Sequence, residues 1–276
     1  MEDLKLEMEN KRLAKEFKEL LDRNEKEEVY QKFLEENPKL IPTQRFELNH
    51  FVHNNIIITK MPLLKDYKCD FFYLSKSSAR WNVVFIELEK PSAKFFTSEG
   101  NPTQEFNRGM SQIKDWQTYF KTPEFKLAFK QDPIIKTLMS EILRFYDNEI
   151  NFKYVLVIGR RKDLEDGNYY KKRDSYITDE IDIVTYDYLY EYLQRKSDRY
   201  VCRIKNNYLY IDTDKYIDNE LFSYTDCSNI RVKQNLLNEL KNMSERYKGF
   251  EPLSEYGFLG LNTENKLKLL EKNSIK

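Results

Sequence analysis

The chain has few of the residues from which zinc sites and nucleotide-binding loops are built. Its three cysteines, Cys69, Cys202 and Cys227, lie far apart without CxxC spacing, which argues against a disulfide framework and a structural zinc site. Its two histidines, His50 and His53, lie where a turn leads into a strand. We expect them to be structural, because a zinc pair would need further nitrogen or sulfur ligands. The chain also lacks a glycine-rich GxxxxGK segment, so no ATP-binding loop of that type is indicated.

Net charge and long apolar runs are missing as well. The 46 basic and 46 acidic residues balance, so the overall basicity of a small nucleic-acid-binding domain is absent and DNA contacts would need a local patch. No stretch approaches membrane-spanning length, and the N-terminal segment mixes charges without the apolar core of a signal peptide. We therefore expect a soluble protein of the reducing cytoplasm.

The spacing of apolar residues along the chain alternates between helical and strand periodicity, which predicts an α/β fold with a mixed sheet. Helices are predicted over residues 4–21, 27–36, 104–120, 134–146, 186–194, 228–248 and 262–272. Strands are predicted over 55–60, 68–75, 81–89, 153–160 and 181–185, with a hairpin over 200–212 that turns at Asn206-Asn207. We divide the chain into an N-terminal amphipathic helix (1–24), a core (25–200) and a C-terminal hairpin with helices (201–276).

The first two helices each have an apolar face. The first carries Leu6, Leu13 and Leu20 seven residues apart, but this seam lasts under three heptads. Packing on its own domain and self-association are therefore both open for this helix. In the second helix, Val29 and Leu34 are among the apolar positions expected on one buried face.

Three acidic residues are expected to share a site on the hairpin of the two central strands. Strand alternation places Glu87 and Glu89 on one face of the later strand, while Ile86 and Leu88 point to the other face. If the hairpin pairs symmetrically about its polar turn, Asp70 falls next to Glu87. Clustered carboxylates raise one another's pKa, and hard divalent ions prefer such oxygen ligands, so the cluster implies Mg²⁺ or Mn²⁺.

The acidic cluster has two interpretations. Carboxylates that alternate along an exposed edge strand are ordinary and would pair with neighbours such as Arg80 or Lys90. Both strands are rich in aromatic and β-branched residues, however, which indicates interior strands where unpaired acids need a reason. On that interpretation Asp70 and Glu87 hold a metal that polarises a phosphodiester and activates water, while Glu89 orients that water or binds a second ion.

The helix over 104–120 has a polar face. Glu105, Arg108 and Gln112 share it at i, i+3 and i+7 spacing, and Trp116 continues it. This face either lies beside the acids or is a solvated surface anchored by the tryptophan. Glu28, in the helix before the core, is a candidate fourth acid, with a solvent-facing role as the alternative.

A basic segment in the second half of the core could supply the local DNA-binding patch. Its residues bracket a loop at Asp166-Gly167, and such clusters can follow phosphates. A solvated surface is the other interpretation, because the intervening acids dilute the charge. The basic residues are Arg160, Arg161, Lys162, Lys171, Lys172 and Arg173.

Six short segments follow one another in the order FLEENP, DFFYL, VVFIELEKP, EFNRGMSQIKDW, YVLVIGRR and IVTYDYL. Together they resemble the C-terminal nuclease domain of the Shedu antiphage proteins, over roughly residues 25–195. The resemblance implies the PD-(D/E)xK nuclease superfamily. It also implies a restriction-endonuclease-like α/β fold, a central mixed sheet flanked by helices, here with N- and C-terminal helical extensions.

The resemblance also assigns roles by position. It makes Asp70 the aspartate of the motif, Glu87 its first glutamate, and Gln112 the glutamine that supports the metal site. Two positions depart from the pattern. Cys69 precedes the aspartate where proline is usual, and Glu89 stands where the lysine that activates water is normally found.

The resemblance implies an endonuclease that nicks or cuts double-stranded DNA with Mg²⁺ or Mn²⁺ in antiphage defence. A second hypothesis is a catalytically silent module that keeps the fold and binds nucleic acid or a partner. A third hypothesis treats the terminal helices as assembly elements, so we expect a homo-oligomer. We expect no contact with membranes.

Overall fold

The computed structural model describes residues 2–63, 67–139, 149–165, 169–193, 199–213, 221–222, 225, 227–246 and 263–275. The helices are α1 (Glu2–Leu21), α2 (Glu27–Glu36), α3 (Gln104–Lys121), α4 (Pro123–Gln131), α5 (Pro133–Leu138), α6 (Lys162–Glu165), α7 (Tyr170–Asp174), α8 (Tyr186–Glu191), α9 (Gln234–Arg246) and α10 (Thr263–Lys272). The strands are β1 (Val52–Pro62), β2 (Lys68–Lys76), β3 (Arg80–Leu88), β4 (Glu149–Val157), β5 (Ile181–Val184), β6 (Tyr200–Lys205), β7 (Tyr208–Ile211) and β8 (Ile230–Val232). Two short 3-10 helices, Pro38–Leu40 and Gln44–Phe46, lie between α2 and β1.

The described strands form an eight-stranded mixed sheet in the order β5-β4-β3-β2-β1-β6-β7-β8. The successive strands β1, β2 and β3 are antiparallel neighbours, while β4 pairs in parallel with β3, and β6 pairs in parallel with β1. Helices flank the sheet. The predicted α/β class with a central mixed sheet is thus confirmed, and the arrangement is consistent with a restriction-endonuclease-like fold.

Both faces of the central hairpin are buried. On one face Phe85 lies in the core with α3, and its ring centroid is 6.1 Å from that of Trp116. On the other face Ile86 belongs to a second core that includes Phe17 of α1 and Tyr186 of α8, whose ring centroids are 6.4 Å apart. Strands covered on both faces are expected to be continuously apolar, which explains the run VVFI.

Local sequence signals set two of the boundaries. The hydroxyl of Thr103 accepts a hydrogen bond from the Phe106 N–H at 3.2 Å and caps the start of α3. Asn206 and Asn207 have φ values of +52° and +61° between β6 and β7. A two-residue hairpin turn needs this left-handed pair, and the predicted hairpin is confirmed.

The helix predicted over 228–248 begins later than expected. Its first residues form β8, which pairs in parallel with β7, and the helix α9 starts only at Gln234. Two apolar residues, Ile230 and Val232, fit either period when a strand is this short. Tertiary pairing therefore decides the structure of this segment.

The helix predicted near 134–146 also differs from the structure. Its first part corresponds to α5, residues 140–148 lie outside the described part of the chain, and α4 was not predicted. Pro123 and Pro133 begin α4 and α5, where the missing proline N–H breaks no helical hydrogen bond. The structure therefore adds α4 before the predicted range, and α5 covers the start of that range.

The cysteines and His53 are core residues. Cys69, Cys202 and Cys227 are buried thiols. The Nε2 atom of His53 lies 2.9 Å from the Leu138 carbonyl oxygen, and burial lowers the pKa of this imidazole to about 3. These contacts belong to packing, as expected for a structural His53.

Helix α1 packs through its C-terminal half. Phe17 is fully buried and Leu20 nearly so, whereas Leu4 and Met8 are each 66% exposed. The second half of the helix therefore belongs to the core of its own domain. Self-association through the exposed first half stays a prediction, and none of the described helices has the length and apolar character needed to cross a membrane.

Helix α2 faces the core differently from the predicted pattern. Val29 is 39% exposed, whereas Tyr30, Gln31 and Leu34 are buried. The Gln31 amide donates hydrogen bonds to the Thr59 hydroxyl at 3.0 Å and to a strand carbonyl at 3.3 Å. These hydrogen bonds satisfy the amide of a buried glutamine. The face of α2 that contains Gln31 therefore lies against the core.

Removing the Phe17 ring should destabilise the domain, because it leaves a cavity between α1 and α8. We expect Phe17→Ala to lower the free energy of unfolding by about 3–5 kcal/mol in urea titrations. The matched variant Met8→Ala, on the exposed half of the same helix, should change it by less than about 0.5 kcal/mol. Equal effects of the two variants would contradict this assignment of the packed half.

Candidate active site

The ends of four strands bring acidic side chains to one edge of the sheet. Strands β1, β3 and β4 end there, and the antiparallel β2 begins there. Phe71 of β2 pairs with Ile86 of β3, so the same register places Asp70 opposite Glu87. Glu87 pairs in turn with Leu156 of β4. The two acids lie on neighbouring strands, as a symmetrical hairpin predicts.

Asp70 is 5% exposed and held on both oxygens. Its Oδ2 accepts a hydrogen bond from the Leu88 N–H at 2.7 Å, and its Oδ1 forms an ion pair with the Lys60 ammonium. Its backbone carbonyl accepts a hydrogen bond from Gln31 at 3.3 Å. The carboxylate is thus fixed at the point where β3 ends.

Glu89 is 3% exposed and bound by Arg108 of α3. The guanidinium is bidentate, with Nε of Arg108 2.9 Å from Oε1 and Nη2 bound to Oε2. The Glu89 N–H donates to the Val157 carbonyl oxygen at 2.8 Å. Such a fork-to-fork pair is among the strong and directional side-chain contacts, so it fixes α3 against the sheet edge.

Glu87 is the acid of this cluster without a cation of its own. Within the described part of the chain its carboxylate takes part in no hydrogen bond or ion pair, although the side chain is largely enclosed. Burial, followed by the negative charges of Asp70 and Glu89, raises the pKa of Glu87 from 4.5 to about 10. A bound divalent cation would favour the ionised form.

Lys60 was not identified from the sequence, although it is the partner of Asp70. It lies in β1 with a left-handed φ of +48°. Burial lowers its pKa, but the charge and hydrogen bond of Asp70 and the charge of Glu87 outweigh burial, so the pKa is raised. Nothing in the run NIIITK signals a left-handed residue, so only the fold reveals this cation.

A fourth acid comes from α2, and it is Glu27. Burial, followed by the charges of Asp70 and Glu89, raises the pKa of Glu27, so this carboxyl lies within electrostatic reach of the cluster. Glu28, the acid named from the sequence, is exposed. The helix begins at Glu27, and its first turn decides which of the two adjacent acids turns inward.

The polar face of α3 is divided between two roles. Arg108 reaches Glu89, whereas Trp116 is buried against Phe85 and serves the core. Gln112 is partly exposed on the same helix and makes no hydrogen bond within the described residues. Its assignment to the metal site stays a prediction.

The arginines after β4 are held by acids. The Arg160 guanidinium lies between Asp187 and Asp22, at 3.1 Å from each, and its side chain is 11% exposed. Arg161 forms an ion pair with Glu191. Arg160 thus connects the end of β4 to α8 and α1, which leaves little of its side chain for phosphates.

The residues of the second basic group differ in accessibility, because Lys171 and Lys172 are exposed whereas the Arg173 side chain is 21% exposed. Lys171 is exposed, Lys172 donates to the Gly100 carbonyl, and Arg173 forms an ion pair with Asp174. The loop at 166–168 lies outside the described residues. A DNA-binding role of this group stays a prediction.

The side chains fit a divalent ion held by two carboxylates. Within the described residues no group of three His, Cys, Asp or Glu side chains is placed to surround a metal, and Arg108 already binds Glu89. Asp70 and Glu87 are the neighbouring carboxylates that would bind the ion, with the Lys60 ammonium displaced from Asp70. Mg²⁺ is commonly bound by one or two carboxylates, with water and substrate phosphate completing its coordination.

Glu87 should make the metal-free protein less stable as pH rises. Its folded pKa of about 10 lies above the unfolded value of 4.5, so the folded state holds an extra proton between these values and stability falls as pH increases. We expect Glu87→Gln to raise the thermal midpoint at pH 8 by roughly 2–4 °C, the shift that about 1 kcal/mol produces in a domain of this size.

The same scans at pH 5 should show a smaller difference between the two proteins, because the destabilisation by Glu87 develops only as pH rises above its unfolded pKa of 4.5. Adding Mg²⁺ or Mn²⁺ at pH 8 should stabilise the wild type more than Glu87→Gln. If Glu87→Gln is less stable than the wild type at every pH, the interpretation of Glu87 as a buried carboxylate without a compensating cation is wrong.

Comparison with known proteins identifies a family whose model covers the residues of this cluster. A family model described as Shedu protein SduA, C-terminal, matches residues 24–190, which is more than half of the chain. The matched range contains β1 to β5 and all the acidic and basic residues of the cluster. A search of curated proteins finds no match. The chain therefore belongs to the Shedu SduA C-terminal family, and this membership supports a role in antiphage defence.

Proposed function

We propose that this protein is a divalent-metal-dependent endodeoxyribonuclease that nicks or cuts double-stranded DNA in antiphage defence. The observation that supports it most is the Glu87 carboxyl, which is enclosed beside Asp70 and forms no ion pair within the described residues. An acidic pair of this kind at the ends of sheet strands is suited to a hard cation and a phosphate. Family membership supports the defence setting.

In this proposal Asp70 and Glu87 hold Mg²⁺ or Mn²⁺. When bound, the ion would polarise the phosphodiester and lower the pKa of a coordinated water. The Leu88 N–H keeps Asp70 oriented toward the site. Glu89 holds Arg108 in place, so that this partly exposed guanidinium can meet a phosphate oxygen at the rim.

In this proposal the DNA surface also includes basic residues of α7. Lys171, Lys172 and Arg173 would contact phosphates, with Arg161 contributing beside its ion pair with Glu191. Gln112 on α3 is proposed to support the metal site. Phosphate contacts of this kind give affinity without sequence information, so we propose no sequence preference.

A second candidate is a catalytically silent module that binds nucleic acid or a partner. One observation favours it: Lys60 and Arg108 already neutralise two of the three central acids within the described residues. Such an arrangement is stable without a metal. Self-association through the exposed start of α1 is compatible with either candidate.

Cleavage of supercoiled and linear DNA by the purified protein decides between the candidates. We expect nicking or cutting with Mg²⁺ or Mn²⁺, none with EDTA, and a loss of roughly 100-fold or more in Glu87→Ala. The exposed acid Glu28 supplies the matched control, since Glu28→Ala should cleave like the wild type.

Glu89→Lys is a further variant of interest, because it restores the residue usual in related nucleases. Here it would place an ammonium against the Arg108 guanidinium, so we expect lower stability and no gain in cleavage. Absence of cleavage with every metal, together with ordinary DNA binding in a gel shift, would overturn the nuclease proposal in favour of the silent module.

A further inference from the structure

The cluster lacks a lysine at the place where the motif would put one. Glu89 occupies that position, and both of its oxygens bind Arg108. The next residue, Lys90, is exposed. Strand β3 and the two residues that follow it therefore give the site no lysine ammonium.

A lysine reaches the cluster from a different strand. The Lys60 ammonium pairs with Asp70 and lies within electrostatic reach of Glu87 and Glu27. Its side chain is 52% exposed, so it lies between the buried acids and the solvent. Within the described residues, Lys60 and Arg108 are the cations that bind these acids.

The backbone at Lys60 is unusual for a strand. Its φ of +48° is disfavoured for a residue with a Cβ atom. Ile58 and Met61, three residues apart, pack into the same core, so strand alternation is interrupted between them. This local conformation directs the lysine to Asp70, and such backbone outliers are concentrated at functional sites.

We propose that Lys60 supplies the catalytic ammonium of this site, donating a hydrogen bond to a nonbridging oxygen of the scissile phosphate. The inference rests on the proposed nuclease function. In the protein without DNA or metal the ammonium is held by Asp70. With an ion bound to Asp70, the Lys60 ammonium would be free to reach the phosphate at the solvent side.

The step is a hydrolysis that consumes one water. The water oxygen forms a new bond to phosphorus, and the bond from phosphorus to one sugar oxygen breaks. The water gives up one proton and the departing oxygen takes up one, so the products are a phosphate monoester and an alcohol. Lys60 remains protonated throughout and stabilises the negative charge that builds on the phosphate oxygens.

Lys60→Gly tests this role without damage to the backbone, because glycine adopts a positive φ readily. We expect cleavage to fall by roughly 100-fold, mainly in kcat, while gel-shift affinity for DNA changes little. Lys60→Arg, which keeps the charge, should retain part of the activity. Lys90→Ala, which removes the exposed lysine nearest the motif, should cleave like the wild type.

A second readout does not depend on activity. Calorimetric titration of Mn²⁺ into Lys60→Gly should show a lower Kd than for the wild type, because the ammonium no longer competes for Asp70. A weaker Mn²⁺ affinity would show that Lys60 only supports Asp70 and would overturn the inference. An active wild type with undiminished Lys60→Gly cleavage would overturn the inference alone, whereas an inactive wild type would overturn the nuclease proposal and the inference with it.

Discussion

The clustering of carboxylates at one end of the sheet is the constraint on which the surrounding ion pairs and packing depend. Asp70, Glu87 and Glu89 lie close together because the hairpin register places Asp70 beside Glu87 and strand alternation places Glu89 on the same face. Lys60 and Arg108 neutralise two of these charges, and each of them comes from a different element. Like charges within a largely enclosed site are costly without such partners. The ion pairs therefore hold β1 and α3 against the end of the central hairpin.

The packing of α3 shows how closely the site and the core are linked. A Cβ atom at Gly109 would lie 2.8 Å from the Leu156 side chain and 3.3 Å from Cγ of Glu89. Glycine at this point lets the helix approach the sheet closely enough for Arg108 to reach the carboxylate. Two helical turns further on, Trp116 packs on Phe85 in the same layer. Helix position, and with it the electrostatics of the site, is thus set by ordinary core contacts.

A chain without net charge can still separate its charges locally. Acids gather at the strand ends, while many of the basic residues that follow β4 are bound to other acids. Arg160 is the clearest case, since its pairs with Asp187 and Asp22 tie three elements together. The accessible positive charge is consequently smaller than the sequence indicates. This distribution favours small local patches of positive charge over a broadly basic face.

The sequence by itself determined the α/β class, the central hairpin, the hairpin turn at Asn206-Asn207 and the common face of Glu87 and Glu89. These features follow from local periods and turn chemistry, which neighbouring residues alone can specify. The tertiary structure decided the short strand β8, the inward acid of α2 and the partner of each central carboxylate. Lys60 is the strongest example, because its left-handed backbone and its contact with Asp70 depend on how β1 meets β2. Charge pairs between elements distant in the chain leave no periodic signal, so only the fold brings them together.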